Sequence, residues 1–81
     1  MKKFIVSIDQ GTTSSRVVLF DTKGNIKFIS QYEFKQYFPR NGWVKHNPNE
    51  IWSTTIKALK QVIKKAKSLK GHILTIGITN Q

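Results

Sequence analysis

The 81-residue sequence has no cysteine, only two prolines, and four acidic residues against fourteen lysines and arginines. The lack of cysteine excludes disulfide bridges and thiolate metal sites within these residues and is compatible with a reducing cytoplasm, where we expect the protein. No apolar stretch approaches the roughly 20 residues that a membrane-spanning helix needs. The apolar run from Phe4 meets Asp9 too early to form the hydrophobic region of a signal peptide.

The excess of basic residues gives a formal net charge of +10. So strong a charge on a small chain raises nucleic-acid binding as one function class. Many of the lysines lie in residues 57–70, and the aromatic residues do not alternate with them as a base-stacking surface requires. We therefore favour a solvated helix face, and keep a basic nucleic-acid-binding module as an alternative that a steep salt dependence of affinity would support.

Residues 8–16, with the sequence IDQGTTSSR, lie between two short apolar segments that are typical of strands. Gly11 permits a tight turn, and successive backbone N–H groups in such a turn form a concave anion site. Four hydroxyl side chains and Arg16 add donors suited to phosphate. Asp9 would repel an anion unless a cation lies beside it, and a carboxylate next to phosphates suits Mg²⁺. The stretch therefore predicts a nucleotide-phosphate and magnesium loop on a β-hairpin.

The same residue types also occur in turns that bind nothing, so composition alone leaves an ordinary hairpin open. The stretch is neither a Walker A loop nor a dinucleotide-binding glycine motif.

The remaining pattern predicts strands over 3–8, 15–20, 26–34 and about 72–78, and one helix over about 48–69. The first strand is apolar at nearly every position, which suggests burial on both faces. Asn47 and Glu50 are placed as a capping box, and Gly71 as the residue that closes the helix. The helix has an apolar stripe that we assign to the core: Ile51, Trp52, Ile56, Leu59, Val62, Ile63, Ala66 and Leu69. The topology is β-β-β-α-β, with the last strand parallel to the first.

Three stretches in this order resemble the glycerol kinases, within the sugar kinases of the actin-like ATPase superfamily. They are residues 9–16 (DQGTTSSR), 42–52 (GWVKHNPNEIW) and 77–81 (GITNQ). The resemblance implies an α/β, ribonuclease-H-like (actin-like ATPase) fold, of which residues 1–81 would be the N-terminal part of the first kinase domain. The second stretch departs from the family at Lys45 and Asn47, where acids are usual.

The resemblance also implies roles for the hairpin, which spans residues 8–20. Thr12, Thr13 and Ser14, together with Gly11, would bind the phosphates of ATP, and Arg16 would contact ADP. Thr12 would also face the phosphoryl group of the product, glycerol 3-phosphate. Asp9 would lie near Mg²⁺, with water between them.

By the same resemblance, the full-length protein is a cytoplasmic homo-oligomer that phosphorylates glycerol, and this chain is a piece of it. An Arg-Glu pair that holds glycerol would directly follow Gln81, and an aspartate much further along would be the general base. No catalytic residue therefore lies within the chain, and we expect the piece alone to be inactive. A kinase acting on another polyol or sugar stays open. A ribonuclease-H-like nuclease is disfavoured, because such enzymes need several carboxylates to hold two metal ions.

Overall fold

A computed structural model describes residues 2–11, 14–33 and 48–80 of the chain. Three strands come first, β1 (Lys2–Gln10), β2 (Ser14–Asp21) and β3 (Ile26–Glu33), followed by helix α1 (Pro48–Ser68) and strand β4 (Gly71–Asn80). The strands form one sheet in the order β3-β2-β1-β4. Adjacent strands of the meander are antiparallel, and β4 pairs parallel with β1. The β-β-β-α-β topology predicted from the sequence is confirmed.

The core lies between one face of the sheet and α1. Alternate residues of β1 and β2 are buried there, and small or branched residues of α1 pack against them: Phe4, Val6, Ile8, Val17, Leu19, Ala58, Val62 and Ala66. Between the buried positions of β1, Ile5 and Ser7 are only half-buried. The prediction that the first strand is buried on both faces is therefore wrong for the described residues. Because α1 covers one face, burial follows the two-residue period of a strand.

The apolar stripe of α1 was assigned to the core correctly in its centre and incorrectly at its start. Val62 and Ala66 are buried, whereas Trp52 is 68% exposed. Thr55 and Ala58 are buried instead, because the small Ala58 lets the helix approach the sheet closely and Thr55 finds polar partners there. The prediction for Trp52 relied on the apolar character of tryptophan, but that character does not indicate which face of the helix packs against a neighbour.

On β4, Ile76 and Ile78 pair with Val6 and Ile8 and so lie on the same sheet face as α1. They are nevertheless 45% and 68% exposed, because α1 extends over β2 and β3 and leaves this part of β4 uncovered.

The C-terminal end of α1 differs from the sequence-based prediction. Lys70, not Gly71, takes the left-handed conformation that ends the helix, with φ of 57°, and its N–H donates to the Lys67 carbonyl at 2.9 Å. Gly71 has another role, because a Cβ built on it would lie 2.1 Å from Cε2 of Phe4. The glycine therefore allows β4 to pass the buried aromatic ring. The predicted cap residue Asn47 lies outside the described residues, as does residue 34 at the predicted end of the third strand.

Candidate nucleotide-phosphate site

The candidate site is the turn between β1 and β2. The two strands pair up to Gln10 and Ser15, and beyond that pair the Gly11 N–H donates to the Ser14 carbonyl at 2.9 Å. This bond closes a short loop at the end of the hairpin, as the sequence predicted. Thr12 and Thr13, which were predicted to contact ATP, lie outside the described residues.

Asp9 and Arg16 lie side by side on adjacent strands. They are direct partners in the antiparallel pairing, and Nη2 of Arg16 donates to Oδ2 of Asp9 at 2.8 Å. The Asp9 side chain is 17% exposed and that of Arg16 is 46% exposed. The sequence predicted a magnesium ion as the cation beside Asp9. In the structure the Arg16 guanidinium lies there, and the magnesium ion stays a prediction. An ion pair this exposed contributes at most about 1 kcal/mol to stability, so a ligand can replace it at small cost.

Ser14 shares a sheet face with this ion pair. Gln10 and Ser15 are turned toward α1, so the alternating strand geometry places Asp9, Ser14 and Arg16 on the opposite face. The Ser14 hydroxyl accepts a hydrogen bond from Nε2 of Gln31 at 2.9 Å. The structure thus brings three of the predicted site residues together on one face, next to the turn at Gly11.

The end of β4 reaches the same place. Thr79 pairs with Asp9 across the parallel strands, and its hydroxyl donates to the Ile8 carbonyl at 3.3 Å. The first and third stretches of the sequence resemblance therefore meet at one end of the sheet. Sequence reasoning gave Thr79 no role. The predicted parallel pairing of the first and last strands was the signal that could have placed it beside Asp9.

The turn end of the hairpin is fixed to α1 by a hydroxyl contact that the sequence did not predict. Ser15, which was predicted as one of four hydroxyl donors to phosphate, is instead buried against α1. Ser15 Oγ and Thr55 Oγ1 lie 2.8 Å apart, and Gln10 Nε2 donates to Thr55 Oγ1 at 3.3 Å. Ser15 is fully buried and Thr55 is 6% exposed. The sequence does place a threonine, Thr55, at the centre of an apolar helix face. Because a buried hydroxyl requires a hydrogen-bond partner, this position could have predicted a polar contact there.

The fit of a magnesium ion can be judged from the donors near the turn. Among the described residues no three His, Cys, Asp or Glu side chains cluster as metal ligands. Magnesium in phosphoryl-transfer sites is typically held by one or two carboxylates, several waters and the phosphates of the substrate. Asp9, beside the turn that is predicted to bind phosphates, is one such carboxylate, so the residues fit a magnesium ion that arrives with a nucleotide. Within the described part of the chain, no helix has the length and apolar character needed to cross a membrane.

Comparison with known proteins assigns the family. Residues 4–81 match the N-terminal domain of the FGGY family of carbohydrate kinases. Glycerol kinases of Thermococcus kodakarensis and Staphylococcus haemolyticus are 51% and 53% identical to the chain over all 81 residues, which span 16% of the length of each relative.

The solved structures agree. The fold matches that of Plasmodium falciparum glycerol kinase with ADP, with a TM-score of 0.88 and 34% identity over 99% of this chain and 16% of that one. It also matches gluconate kinase of Lactobacillus acidophilus, with a TM-score of 0.89 and 22% identity over 100% of this chain and 16% of that one, a likeness of fold alone. The match of residues 4–81 to the family model and the identities of 51% and 53% place this chain in the FGGY family of carbohydrate kinases, with those residues matching its N-terminal domain.

Proposed function

We propose that the protein to which this chain belongs transfers the terminal phosphoryl group of ATP to glycerol and forms sn-glycerol 3-phosphate. The observation that carries the proposal is the identity of 51% and 53% with glycerol kinases along the whole chain. The hairpin supports it, because Ser14 and Arg16 lie on one sheet face beside the turn, where both side chains could donate to phosphates. The solved glycerol kinase of similar fold contains ADP, which supports a nucleotide as the ligand.

The chain contributes positioning and charge, which are the main requirements of phosphoryl transfer. The backbone at Gly11, the hydroxyls of Thr12, Thr13 and Ser14, and the guanidinium of Arg16 would hold the nucleotide phosphates. The Thr12 hydroxyl would also contact the phosphoryl group once it is on glycerol. Magnesium, when bound with the nucleotide, neutralises phosphate charge, and Asp9 would hold it through water.

The ion pair between Asp9 and Arg16 explains how both side chains are kept in place before the nucleotide binds. With a nucleotide and its magnesium bound, Arg16 would gain phosphate oxygens as partners and Asp9 would gain a cation. Two favourable charge contacts then replace one exposed pair whose loss costs at most about 1 kcal/mol.

The remaining parts of the active site would come from the rest of the kinase chain, including the general base and the groups that hold glycerol. The isolated 81-residue chain would therefore be inactive, and the complete enzyme would act as a cytoplasmic homo-oligomer. A second candidate is a kinase for another polyol or sugar, because the matching family comprises carbohydrate kinases in general.

A substrate panel tests the proposal. The natural polypeptide that contains this chain is purified, and ADP release from ATP is measured with glycerol and with a set of polyols, pentoses and hexonates. We expect the largest kcat/KM with glycerol, and no glycerol-dependent ADP release from the 81-residue chain alone. A larger kcat/KM with another member of the panel would favour the second candidate.

A further inference from the structure

The buried contact between the hairpin and α1 consists of polar groups. Thr55 lies on the second turn of α1, and its Oγ1 is 2.8 Å from Ser15 Oγ and 3.3 Å from Gln10 Nε2. Thr54 Oγ1 lies 3.4 Å from Ser15 Oγ. Nearly all the other side chains that join α1 to β1 and β2 are apolar, so this cluster is the polar part of an otherwise hydrophobic interface within the described residues.

The direction of the hydrogen bonds in the cluster follows from proton counting. The Thr55 hydroxyl has one hydrogen, and it donates to the Ile51 carbonyl at 2.7 Å. Its oxygen must therefore accept from Ser15 Oγ–H and from the Gln10 amide. Thr54 donates to the Glu50 carbonyl at 2.8 Å, so its 3.4 Å contact with Ser15 is secondary. One oxygen of α1 thus receives a hydrogen bond from each strand of the hairpin.

The two residues that donate to Thr55 flank the phosphate turn. Gln10 and Ser15 are paired residues of β1 and β2, and they are the last pair before the turn. Gly11 and Ser14, which close the loop with a hydrogen bond, directly follow and directly precede them. Hydrogen bonds have narrow distance and angle preferences, so this contact constrains the position of both strands relative to α1.

We propose that Thr55 is a positioning residue for the nucleotide-phosphate turn, acting through Ser15 and Gln10. The inference rests on the proposed function, because it assumes that the turn binds nucleotide phosphates. Thr55 touches no ligand in this role. It holds the two strand ends in register with α1, so that the adjacent donors Ser14 and Arg16 are already in position before a nucleotide arrives. Preorganised donors bind anions more tightly, because the protein need not reorganise.

The test compares variants of the natural polypeptide that contains this chain. Thr55→Val keeps the shape of the side chain and removes the oxygen, which leaves the Ser15 hydroxyl without its acceptor. We expect the dissociation constant for ADP, measured by calorimetry, to rise roughly tenfold. We expect the KM for ATP to rise in parallel and the KM for the phosphoryl acceptor to stay unchanged. Thr55→Ser, which retains the oxygen, should restore ADP binding to within about twofold of the wild type.

A structural control separates positioning from general destabilisation. Val62→Ala removes two methyl groups from the same buried face of α1 without touching the cluster. It should lower the denaturation midpoint at least as much as Thr55→Val and leave ADP affinity unchanged. Hydrogen exchange at the Gly11 N–H, which bonds Ser14, gives a second measurement that requires no ligand. It should become faster in Thr55→Val and remain unchanged in Val62→Ala.

The possible outcomes keep the two proposals distinguishable. The positioning role would be overturned if Thr55→Val bound ADP as tightly as the wild type. It would also be overturned if Thr55→Val and Val62→Ala lost ADP affinity to the same extent. If ADP binding depends on Thr55 but the protein phosphorylates a sugar or another polyol, the positioning role is supported and only glycerol is rejected as the substrate. A wild type that does not bind ADP would overturn both proposals.

Discussion

Replacing Gly71 by alanine tests the close packing between the start of β4 and the core. The new Cβ would lie 2.1 Å from Cε2 and 2.5 Å from Cδ2 of Phe4, and 3.1 Å from the Lys2 carbonyl oxygen. Carbon atoms pack best at about 3.5 to 4 Å. Phe4 is 2% exposed, so its ring has no solvent to move into and must displace its neighbours.

The magnitude follows from two opposing effects. Overpacking of this kind typically costs about 1 to 3 kcal/mol. Replacing glycine by alanine also restricts the unfolded chain, which stabilises the native state by about 0.4 to 1 kcal/mol. Because the overlap involves two ring carbons and a backbone oxygen, we place the cost at the upper end of its range. The expected net loss in the free energy of unfolding is therefore about 2 kcal/mol.

Gly77 provides a matched control on the same strand. A Cβ built on Gly77 meets nothing within 4 Å, and Gly77 is not among the residues with positive φ. Gly77→Ala should therefore stabilise the native state, by about 0.5 kcal/mol. The assay is urea denaturation of the natural polypeptide that contains this chain, followed by circular dichroism. Equal midpoints for the two variants, or a higher midpoint for Gly71→Ala, would refute the packing argument.

Three further predictions concern stability and association. Lys70→Gly should raise the free energy of unfolding by about 0.5 to 1 kcal/mol in the same urea assay, because glycine adopts the left-handed conformation without strain; an unchanged or lower value would contradict this. Hydrogen bonds from the backbone N–H groups of Asn25 and Lys23 lower the pKa of Asp21 from its ordinary value of 3.8. The ionised Asp21 carboxylate therefore stabilises the folded protein above pH 3.8, and this stabilisation is lost as the pH falls through the lowered pKa. The denaturation midpoint of Asp21→Asn should accordingly depend less on pH in the acid range than that of the wild type. If the midpoints of the two proteins change with pH in parallel, Asp21 has no such effect. The isolated 81-residue chain should self-associate through Ile76, Ile78 and its open strand edges, which sedimentation at several concentrations would detect; a monomer at every concentration would refute the prediction.

The sequence predicted element type and order because each segment has a clear period and clear boundaries. The strands are short runs of β-branched and aromatic residues, and the helix has a repeating apolar face. Burial was less predictable, because it depends on which neighbours cover each face. Trp52 and Ile78 are as apolar as the core residues, yet both are exposed in this chain.

The helix end shows a different limit. Gly71 was the natural choice for the left-handed position, but the tight contact with Phe4 already requires a glycine there, and the left-handed position falls on Lys70. Local preference could not reveal a contact between residues so far apart in sequence.

The candidate site was predictable where the signal was local. A glycine, several hydroxyls, an acid and an arginine within eight residues predicted a phosphate turn on a hairpin. In the structure β1 and β2 form that hairpin with Asp9 and Arg16 in contact, and phosphate binding stays a prediction. The hydrogen bond between Ser15 and Thr55 was not predictable, because forty residues separate them in sequence. Only the packing angle of α1 on the sheet brings the two hydroxyls together.

The most direct measurement is the transfer of the terminal phosphate of ATP to glycerol by the natural polypeptide that contains this chain, with the product identified by phosphorus NMR. We expect sn-glycerol 3-phosphate, formed in equal amount with ADP and only when both glycerol and magnesium are present. If ATP and glycerol remain unchanged while the folded protein is shown to be intact, the proposed function is wrong.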